Sequence, residues 1–410
     1  MPGMEFDPHT ALGYARAMAH PRRVGSDQER VAAREIASRL KRSGYRVERQ
    51  PFQFSTAPTV VISLEVLVCL LLILAASGLR VRAPLAAAAP AVLLVLLILL
   101  TGPINRAVLA GSLAPAVGKP SFWSALCLGL GARYSTENLV ATLPEVAYDP
   151  ALPHLYLVAH YDSKSQQIPL IARVVLFVAA IVGGLSFAGL TLLAVALPLL
   201  TLAAMAIGLM AMLAGLPLLI LDIGDASPGA IDNASSVGLV LHLAERLAAS
   251  SRRRDRLQVT ILVTSAEEMT VMGAEAFARD NEQALRRQAE AGGLYILNLD
   301  GIGVDGKLCL ADGLSAGKGA GRQQARRLAD LIHKACEELG VTVERFGLTG
   351  VMFDHMPFAQ RGLDAVSLIT VGPATRFVHT PQDTVDKLHV RGFEQAGRVI
   401  LRVIERLCQQ

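Results

Sequence analysis

Leu155-Tyr156-Leu157-Val158-Ala159-His160-Tyr161-Asp162-Ser163 is the stretch on which the reading of this chain turns. A short continuous apolar run reads as a strand buried on both faces. This one ends directly at His160. Open α/β sheets place their sites just beyond the carboxyl ends of such strands. The pattern recurs downstream. Val259–Thr264 runs into Glu267-Glu268, Leu294–Leu299 runs into Asp300, and Ala365–Thr370 precedes His379-Thr380. Asp232-Asn233 lies between the first pair of strands, before an apolar-periodic helix over Val237–Ala249.

What separates His160 from Asp232 is unusual. Nothing is charged between Arg173 and Asp222. At about 1.5 Å rise per residue, Ile168–Leu221 is far too long for one membrane span. It divides near Ala194–Pro198 into two helices, with Arg173 placed to snorkel to the interface. A second apolar block precedes the motif. Thr59–Gly78 is apolar apart from Glu65, Arg80-Val81-Arg82 interrupts, and Pro84–Thr101 is apolar again. Each run is about the twenty residues a helix needs to cross a bilayer. Almost no polar face is left, which favours two transmembrane hairpins over pairs of buried core helices. Glu65 falls within about one to two turns of a span end, as a functional intramembrane carboxylate or an interfacial one. Phe122–Leu130 is apolar but too short to span, and fits the membrane surface.

The remainder reads as soluble α/β sequence. A helix over Val31–Leu40, capped by Ser26 or Asp27 and ending at Gly44, leads to an alternating strand over Tyr45–Phe54. Helices are predicted over Ala325–Leu339 and Phe393–Cys408. Alternating strands and helices predict a mixed, mostly parallel sheet with helices on both faces. The expected organisation is a hydrolase domain in three pieces, 1–56, 107–167 and 222–410, with hairpins at 57–106 and 168–221.

Composition supports a chain of two characters. Of 410 residues, 52% are hydrophobic and only 5% aromatic, with the apolar excess concentrated in the two blocks. The net charge of +4 carries no basic stripe interleaved with aromatics, so nucleic acid is not an expected partner. Cys69, Cys127, Cys309, Cys336 and Cys408 form no C-x-x-C pair, and their odd number fits a reducing compartment. The charged N-terminus has no apolar core before Pro58 and does not read as a signal peptide. The sequence does not fix an oligomeric state.

Two imidazoles with several carboxylates suit zinc, with manganese or cobalt as the other ions such donors take. Two ions need one bridging carboxylate, and one further carboxylate must stay off the metal to accept a proton from water. The ordered His, Asp, Glu, Asp, His set meets that requirement.

In this order and context the chain resembles the co-catalytic zinc aminopeptidases of metallopeptidase family M28. The resemblance rests on His160-Tyr161-Asp162-Ser163, Gly229-Ala230-Ile231-Asp232-Asn233, Glu267-Glu268 with Gly273-Ala274, Asn298-Leu299-Asp300, and His379-Thr380 with Asp383-Thr384. Arg22-Arg23-Val24-Gly25-Ser26 with Gln50-Pro51-Phe52, and Asp354-His355-Met356-Pro357-Phe358, are softer matches. It covers nearly all the soluble sequence and neither apolar block. It implies a zinc-exopeptidase three-layer α/β sandwich, here interrupted by two transmembrane hairpins. It implies two Zn2+ ions, with His160 and Asp300 on one, Glu268 and His379 on the other, and Asp232 bridging. Glu267 would be the general base and acid, and Asp162 would orient His160. His355 and Asp354 would line the substrate pocket, with a structural loop role the alternative for His355. No position of the set is missing, which argues against a non-catalytic receptor or scaffold.

The activity so implied is removal of N-terminal residues from peptides by a membrane-anchored enzyme. Carboxypeptidase or glutaminyl cyclase chemistry on the same fold is the alternative. Arg46, Arg49, Arg106, Lys119, Lys164 and Arg173 flank the hydrolase side, against Arg80 and Arg82 beyond, so the hydrolase parts are expected on the cytoplasmic face. The short connections to the second hairpin put the site within roughly 20 Å of the bilayer surface. Gly313–Lys318 superficially resembles a phosphate loop but lacks its spacing and hydroxyl residue. Arg252, Arg253, Arg254 and Arg256 read as a solvated face, with lipid headgroups the minority option.

Overall fold

The computed structural model describes residues 6–144, 149–220, 223–250, 256–312, 321–346 and 351–409. The Gly313–Lys318 stretch and Arg252–Arg254 lie outside the described residues. Contacts divide the chain into two compact units. One comprises Met1–Gln53, Tyr134–Ser165 and Gly224–Gln410, and the other Phe54–Arg133 and Gln166–Ile223. Residues 107–133, assigned to the hydrolase part on sequence, cluster instead with the apolar helices.

The first unit is built on an eight-stranded sheet. In chain order its strands are β1 (Arg46–Ser55), β2 (Arg133–Thr142), β3 (His154–His160), β6 (Gln258–Thr264), β7 (Leu294–Asp300), β8 (Lys307–Ala311), β9 (Val343–Arg345) and β10 (Asp364–Val371). The strand order is β1-β2-β6-β3-β7-β10-β8-β9. The central strands β6, β3, β7 and β10 run parallel, while β2 on β6 and β8 on β10 are antiparallel. The two-residue strands β4 (Ser165–Gln166) and β5 (Ile223–Gly224) form a separate ribbon at the ends of the second apolar insert.

Alternate side chains of the central strands enter different cores, as the period of two requires. Leu155, Leu157 and Ala159 pack with Ile261, Leu297 and Leu368 on one face, against α1 (Pro8–Met18), α2 (Asp27–Arg42), α8 (Ser235–Ala248), α11 (Gly321–Leu339) and α13 (Val390–Leu407). Tyr156, Val158, Leu262 and Ile296 pack on the other face with α9 (Met272–Asp280), α10 (Glu282–Ala291) and α12 (Met356–Gln360). The expected three-layer sandwich with a mixed, mostly parallel sheet is therefore present.

Local sequence explains the helix ends. Ser26 caps α2 by accepting from Glu29 N at 3.1 Å, so of the two anticipated caps it is the serine that serves. Helix α1 was not anticipated. Its buried stripe of Ala11, Leu12, Ala15 and Met18 is mostly alanine, which weakens the periodic signal. The small residues have a use: a Cβ on Gly238 of α8 would lie 2.5 Å from the Ala15 nitrogen, so α1 and α8 meet backbone to backbone.

The second unit contains four helices long and apolar enough to cross a membrane: Ala57–Arg82 (α3), Ala88–Gly111 (α4), Leu170–Ala196 (α6) and the run Pro198–Leu219, which includes α7 (Thr201–Gly215). At about 1.5 Å per residue they are roughly 33–40 Å long. The short helix α5 (Phe122–Gly129) buries Cys127 in a cluster with Ala57 and Val108. The helices pack through small residues: a Cβ on Gly183 would stand 3.0 Å from Ala211 Cβ. Arg80 Nη2 donates to the Ala194 carbonyl and to Thr201 Oγ1, joining the turns of the two hairpins. Glu65 Oε2 accepts from Asn105 Nδ2 at 2.8 Å, a pairing between α3 and α4.

Candidate metal centre

Register brings the donors together. His160 pairs with Thr264 across β3 and β6, and Ile369 pairs with Asp300 across β10 and β7. The carboxyl ends of the central strands therefore align, and the loops beyond them share one edge. His160 and Asp300 are the last residues of their strands. Glu267 and Glu268 follow β6, Asp232 sits in the turn Ala230–Ala234 that leads into α8, and His379 follows the short 3-10 helix Pro373–Phe377.

All six side chains converge. His160 Nε2 lies 3.0 Å from Asp232 Oδ1, 3.8 Å from Asp300 Oδ2 and 3.9 Å from Glu267 Oε2. His379 Nε2 lies 3.1 Å from Asp232 Oδ2 and 3.0 Å from Glu268 Oε2. Asp232 thus turns one carboxylate oxygen toward each imidazole. The donors form two groups, His160–Glu267–Asp300 and Asp232–Glu268–His379, each with its ligand atoms within 4.8 Å of one another.

The residues fit a divalent-metal centre. His160 Nε2, Asp232 Oδ1 and Glu268 Oε1 are buried without a hydrogen-bond partner. Leaving such atoms unsatisfied costs about 1–3 kcal/mol each, a cost that a coordinated cation removes. The electrostatics of the protein agree. Burial would raise the Asp232 carboxyl, but the imidazoles of His160 and His379 beside its two oxygens hold it below its ordinary value. Burial pushes Glu267 well above the carboxylate range; His160 opposes this, while Asp300, Glu268 and Asp354 add to it.

Supporting residues fix the loops. Asp162 is fully buried, and its two oxygens accept from Glu267 N and Glu268 N, each at 3.2 Å. Its Oδ1 is also 3.5 Å from His160 Nδ1, which lies 3.2 Å from the Asp162 backbone oxygen. Asp162 therefore clamps the loop carrying the two glutamates as much as it faces the imidazole. Ala266 and His379 hold positive φ of 58° and 64°, a left-handed backbone that costs of order 1–3 kcal/mol per residue.

Other contributors sit in the quoted motifs without having been given a role. Arg22 is buried, and its guanidinium donates to the carbonyls of Tyr161 at 2.7 Å, Pro228 at 2.7 Å and Gly229 at 3.1 Å. One side chain thus ties the His160 loop to the Asp232 loop. Gly229 has φ +57°, and a Cβ there would stand 2.5 Å from the Asp232 oxygen and 2.6 Å from Ser163 Cβ, so glycine is required. Asp383 accepts from Ile231 N at 2.7 Å and Asp232 N at 3.3 Å. Asn233 donates to the Leu299 carbonyl at 3.0 Å and accepts from Gly301 N, holding the Asp232 turn to the end of β7. Lys164 reaches Glu268. Its only signal in the sequence is adjacency to the first motif.

The structure encloses His355 and Asp354, the two residues expected at a substrate pocket. His355 is 0% exposed, with Nδ1 at 2.6 Å from Ser367 Oγ, which also accepts from Asn298 Nδ2. Its ring stacks on Phe353, and burial lowers it to about 3. These contacts support the structural loop role given as the alternative for His355. Asp354 is equally enclosed and accepts from Thr264 Oγ1, and burial raises it to about 7. The loop is drawn inward because Phe353, Met356 and Phe358 pack into the cores.

Known proteins resemble this chain in sequence and in fold. Residues 138–404 match the family described as Peptidase family M28. Aminopeptidase YwaD of Bacillus subtilis (strain 168) is 24% identical over 183 residues, 43% of this chain and 37% of that protein, so the match spans well under half of the relative's length. An aminopeptidase from Aneurinibacillus sp. strain AM-1 superposes with a TM-score of 0.54 at 16% identity, covering 98% of this chain and 93% of that one. A glutaminyl cyclase from Fimbriiglobus ruber superposes with a TM-score of 0.56 at 15% identity, covering 100% and 98%. Both structures share the fold.

Proposed function

This chain belongs to peptidase family M28, and on that premise we propose that it is a membrane-anchored, zinc-dependent aminopeptidase releasing the N-terminal residue of peptides. The observation that carries the reading is Asp232, whose carboxylate presents one oxygen to His160 and the other to His379. In this reading His160, Asp232 and Asp300 would hold one zinc ion, and Asp232, Glu268 and His379 would hold the other. Three protein ligands for each ion would match the donor number of catalytic zinc sites. Bound zinc supplies Lewis acidity, polarising the scissile carbonyl and making water a nucleophile near neutral pH.

Glu267 is the donor left over. It stands beside His160 at 3.9 Å and is not needed to complete either set of three. It takes the proton of the attacking water and delivers it to the leaving amine. Asp162 holds the Glu267 and Glu268 amides and faces His160 Nδ1, so the shuttle and both ligand loops keep a common frame. His355 and Asp354 brace the loop beneath.

The apolar unit is read as the anchor. Both inserts cross the bilayer as hairpins, which returns the chain to its starting side each time. The bias of Lys and Arg toward the hydrolase flanks supports a cytoplasmic face for that side.

The test uses purified full-length chain. It should carry two zinc ions and hydrolyse aminoacyl arylamides while sparing N-acetylated ones. Ring closure of N-terminal glutaminyl peptides without hydrolysis would establish cyclase chemistry instead. Release of C-terminal residues from N-blocked peptides would establish a carboxypeptidase. Extraction of the chain from membranes by alkaline carbonate would overturn the anchor.

A further inference from the structure

The two metal positions differ in one charged neighbour. Lys164 follows directly on His160-Tyr161-Asp162-Ser163 and is largely enclosed, its side chain 12% exposed. Its Nζ lies 2.8 Å from Glu268 Oε2 and donates to the Glu268 backbone carbonyl at 3.1 Å. That same Oε2 is 3.0 Å from His379 Nε2. A fixed ammonium of the protein therefore stands against the Asp232–Glu268–His379 group, on a ligand oxygen. The ion pairs of the other group join His160 to carboxylates, namely Asp162, Asp232, Glu267 and Asp300.

We propose that Lys164 makes the two positions unequal, so that the ion held by Asp232, Glu268 and His379 is the weaker and more readily exchanged. The inference deepens the two-zinc reading and rests on it. Its cause is electrostatic. An ammonium within a few ångströms of a divalent cation repels it, and the repulsion is strong in a buried site. The charge-assisted hydrogen bond also draws on the Glu268 oxygen that faces His379, leaving that oxygen a poorer donor. The His160 position has the opposite surroundings: among the described residues its ion pairs bring carboxylates and no ammonium. As free zinc rises, the His160–Asp300 position fills first and the Glu268–His379 position second. Lys164 thereby sets the metal concentration at which the centre becomes complete.

The contrary expectation is well defined. Groups that hydrogen-bond metal ligands often orient them, and their loss costs about 10–100-fold in affinity. An orienting role for Lys164 would make its removal weaken the second ion, whereas repulsion makes its removal tighten it.

The experiment is a buffered zinc titration of the metal-stripped full-length chain in detergent or nanodiscs, with bound metal counted at each free concentration. The wild type should load two ions in steps separated by about tenfold or more. Lys164→Met, which keeps the aliphatic stem and removes the charge, should draw the steps together by tightening the second about tenfold. Lys164→Arg should keep them apart. If Lys164→Met fails to fold, Lys164→Gln serves the same purpose, and the wild-type titration remains a test by itself. Two wild-type ions of equal affinity, or a second step that weakens or stays put in the neutral variants, would overturn the proposal. A wild-type chain that saturates with a single ion would overturn the two-zinc reading itself, and its stoichiometry tells the two failures apart.

Discussion

The two units of this molecule solve opposite solvation problems. The hydrolase unit buries what water would normally keep: Arg22, Asp162, Asn233, Asp354, His355 and Asp383 are enclosed, each with hydrogen-bond partners. The apolar unit exposes what water would normally expel, with Leu74 57% exposed and Leu99, Leu202 and Met210 still more so. In the first unit burial concentrates charge around the candidate metal donors. In the second, side chains turned outward are matched to hydrocarbon, and the few polar groups pair within the unit, as Glu65 does with Asn105 and Arg80 with Thr201. Apolar surface on this scale is a liability in water and an anchor in lipid.

Four substitutions break or sharpen that contrast. The largest effect belongs to the charge held in the hydrolase unit. Glu267→Gln should reduce turnover by about two orders of magnitude or more while metal content stays unchanged. A variant with near-normal turnover would remove Glu267 from the proton path, and one that loses metal would make it a ligand. Next comes packing. Ile296→Ala removes a 0% exposed side chain from the middle of β7 and should cost about 2–5 kcal/mol, read as lost hydrogen-exchange protection along β7 and a lower melting temperature.

The third concerns a buried carboxylate far from the metal. Asp364 opens β10 at the end of the sheet opposite the site, accepts from Leu328 N at 3.2 Å, and is raised by burial to about 8. The unfolded chain releases this proton near pH 4 and the folded chain retains it. Stability is therefore lost as pH rises between those values, by up to about 1.4 kcal/mol per pH unit for a single group. Asp364→Asn keeps an acceptor and removes the proton, so its stability should fall less steeply from pH 5 to 8 than that of the wild type. An unchanged slope in denaturation at several pH values would assign the dependence elsewhere. The smallest effect is in the apolar unit. Leu74→Ala should change stability in detergent by less than about 0.5 kcal/mol, because its side chain faces out. A loss as large as that of Ile296→Ala would mean that Leu74 is packed against protein.

Much of the fold was legible because its signals are local and strong. Leu155–Ala159 and Leu294–Leu299 are short apolar runs, and both are central strands, β3 and β7. The break near Ala194–Pro198 marks the end of α6 at Ala196. Helices α1 and α10 were missed for different reasons. The first packs through alanines that carry little periodic signal. The second buries only Leu285 among its ten residues, so its pattern is that of a solvated segment. At the centre, the donor residues could be named because each follows an apolar strand or sits in an ordered motif. His355 could not be placed, because a histidine in a loop has the same letter whether the loop faces a pocket or folds beneath one.

The sequence by itself determined the chemistry available to this protein: two imidazoles and four carboxylates, most of them at or just past strand ends, and two apolar blocks of membrane length. Those properties belong to residue type and spacing along the chain. Tertiary structure alone decided which atoms meet. It gave Asp232 an oxygen for each histidine, set Asp162 on the amides of Glu267 and Glu268, stretched Arg22 across two loops, and laid Lys164 against one metal position and not the other. The physical reason is that electrostatic and hydrogen-bond interactions act over a few ångströms. The partners here lie from 72 residues apart (His160 and Asp232) to 207 (Arg22 and Gly229) in sequence, and only the folded chain, with its parallel strands in register, brings them within that distance.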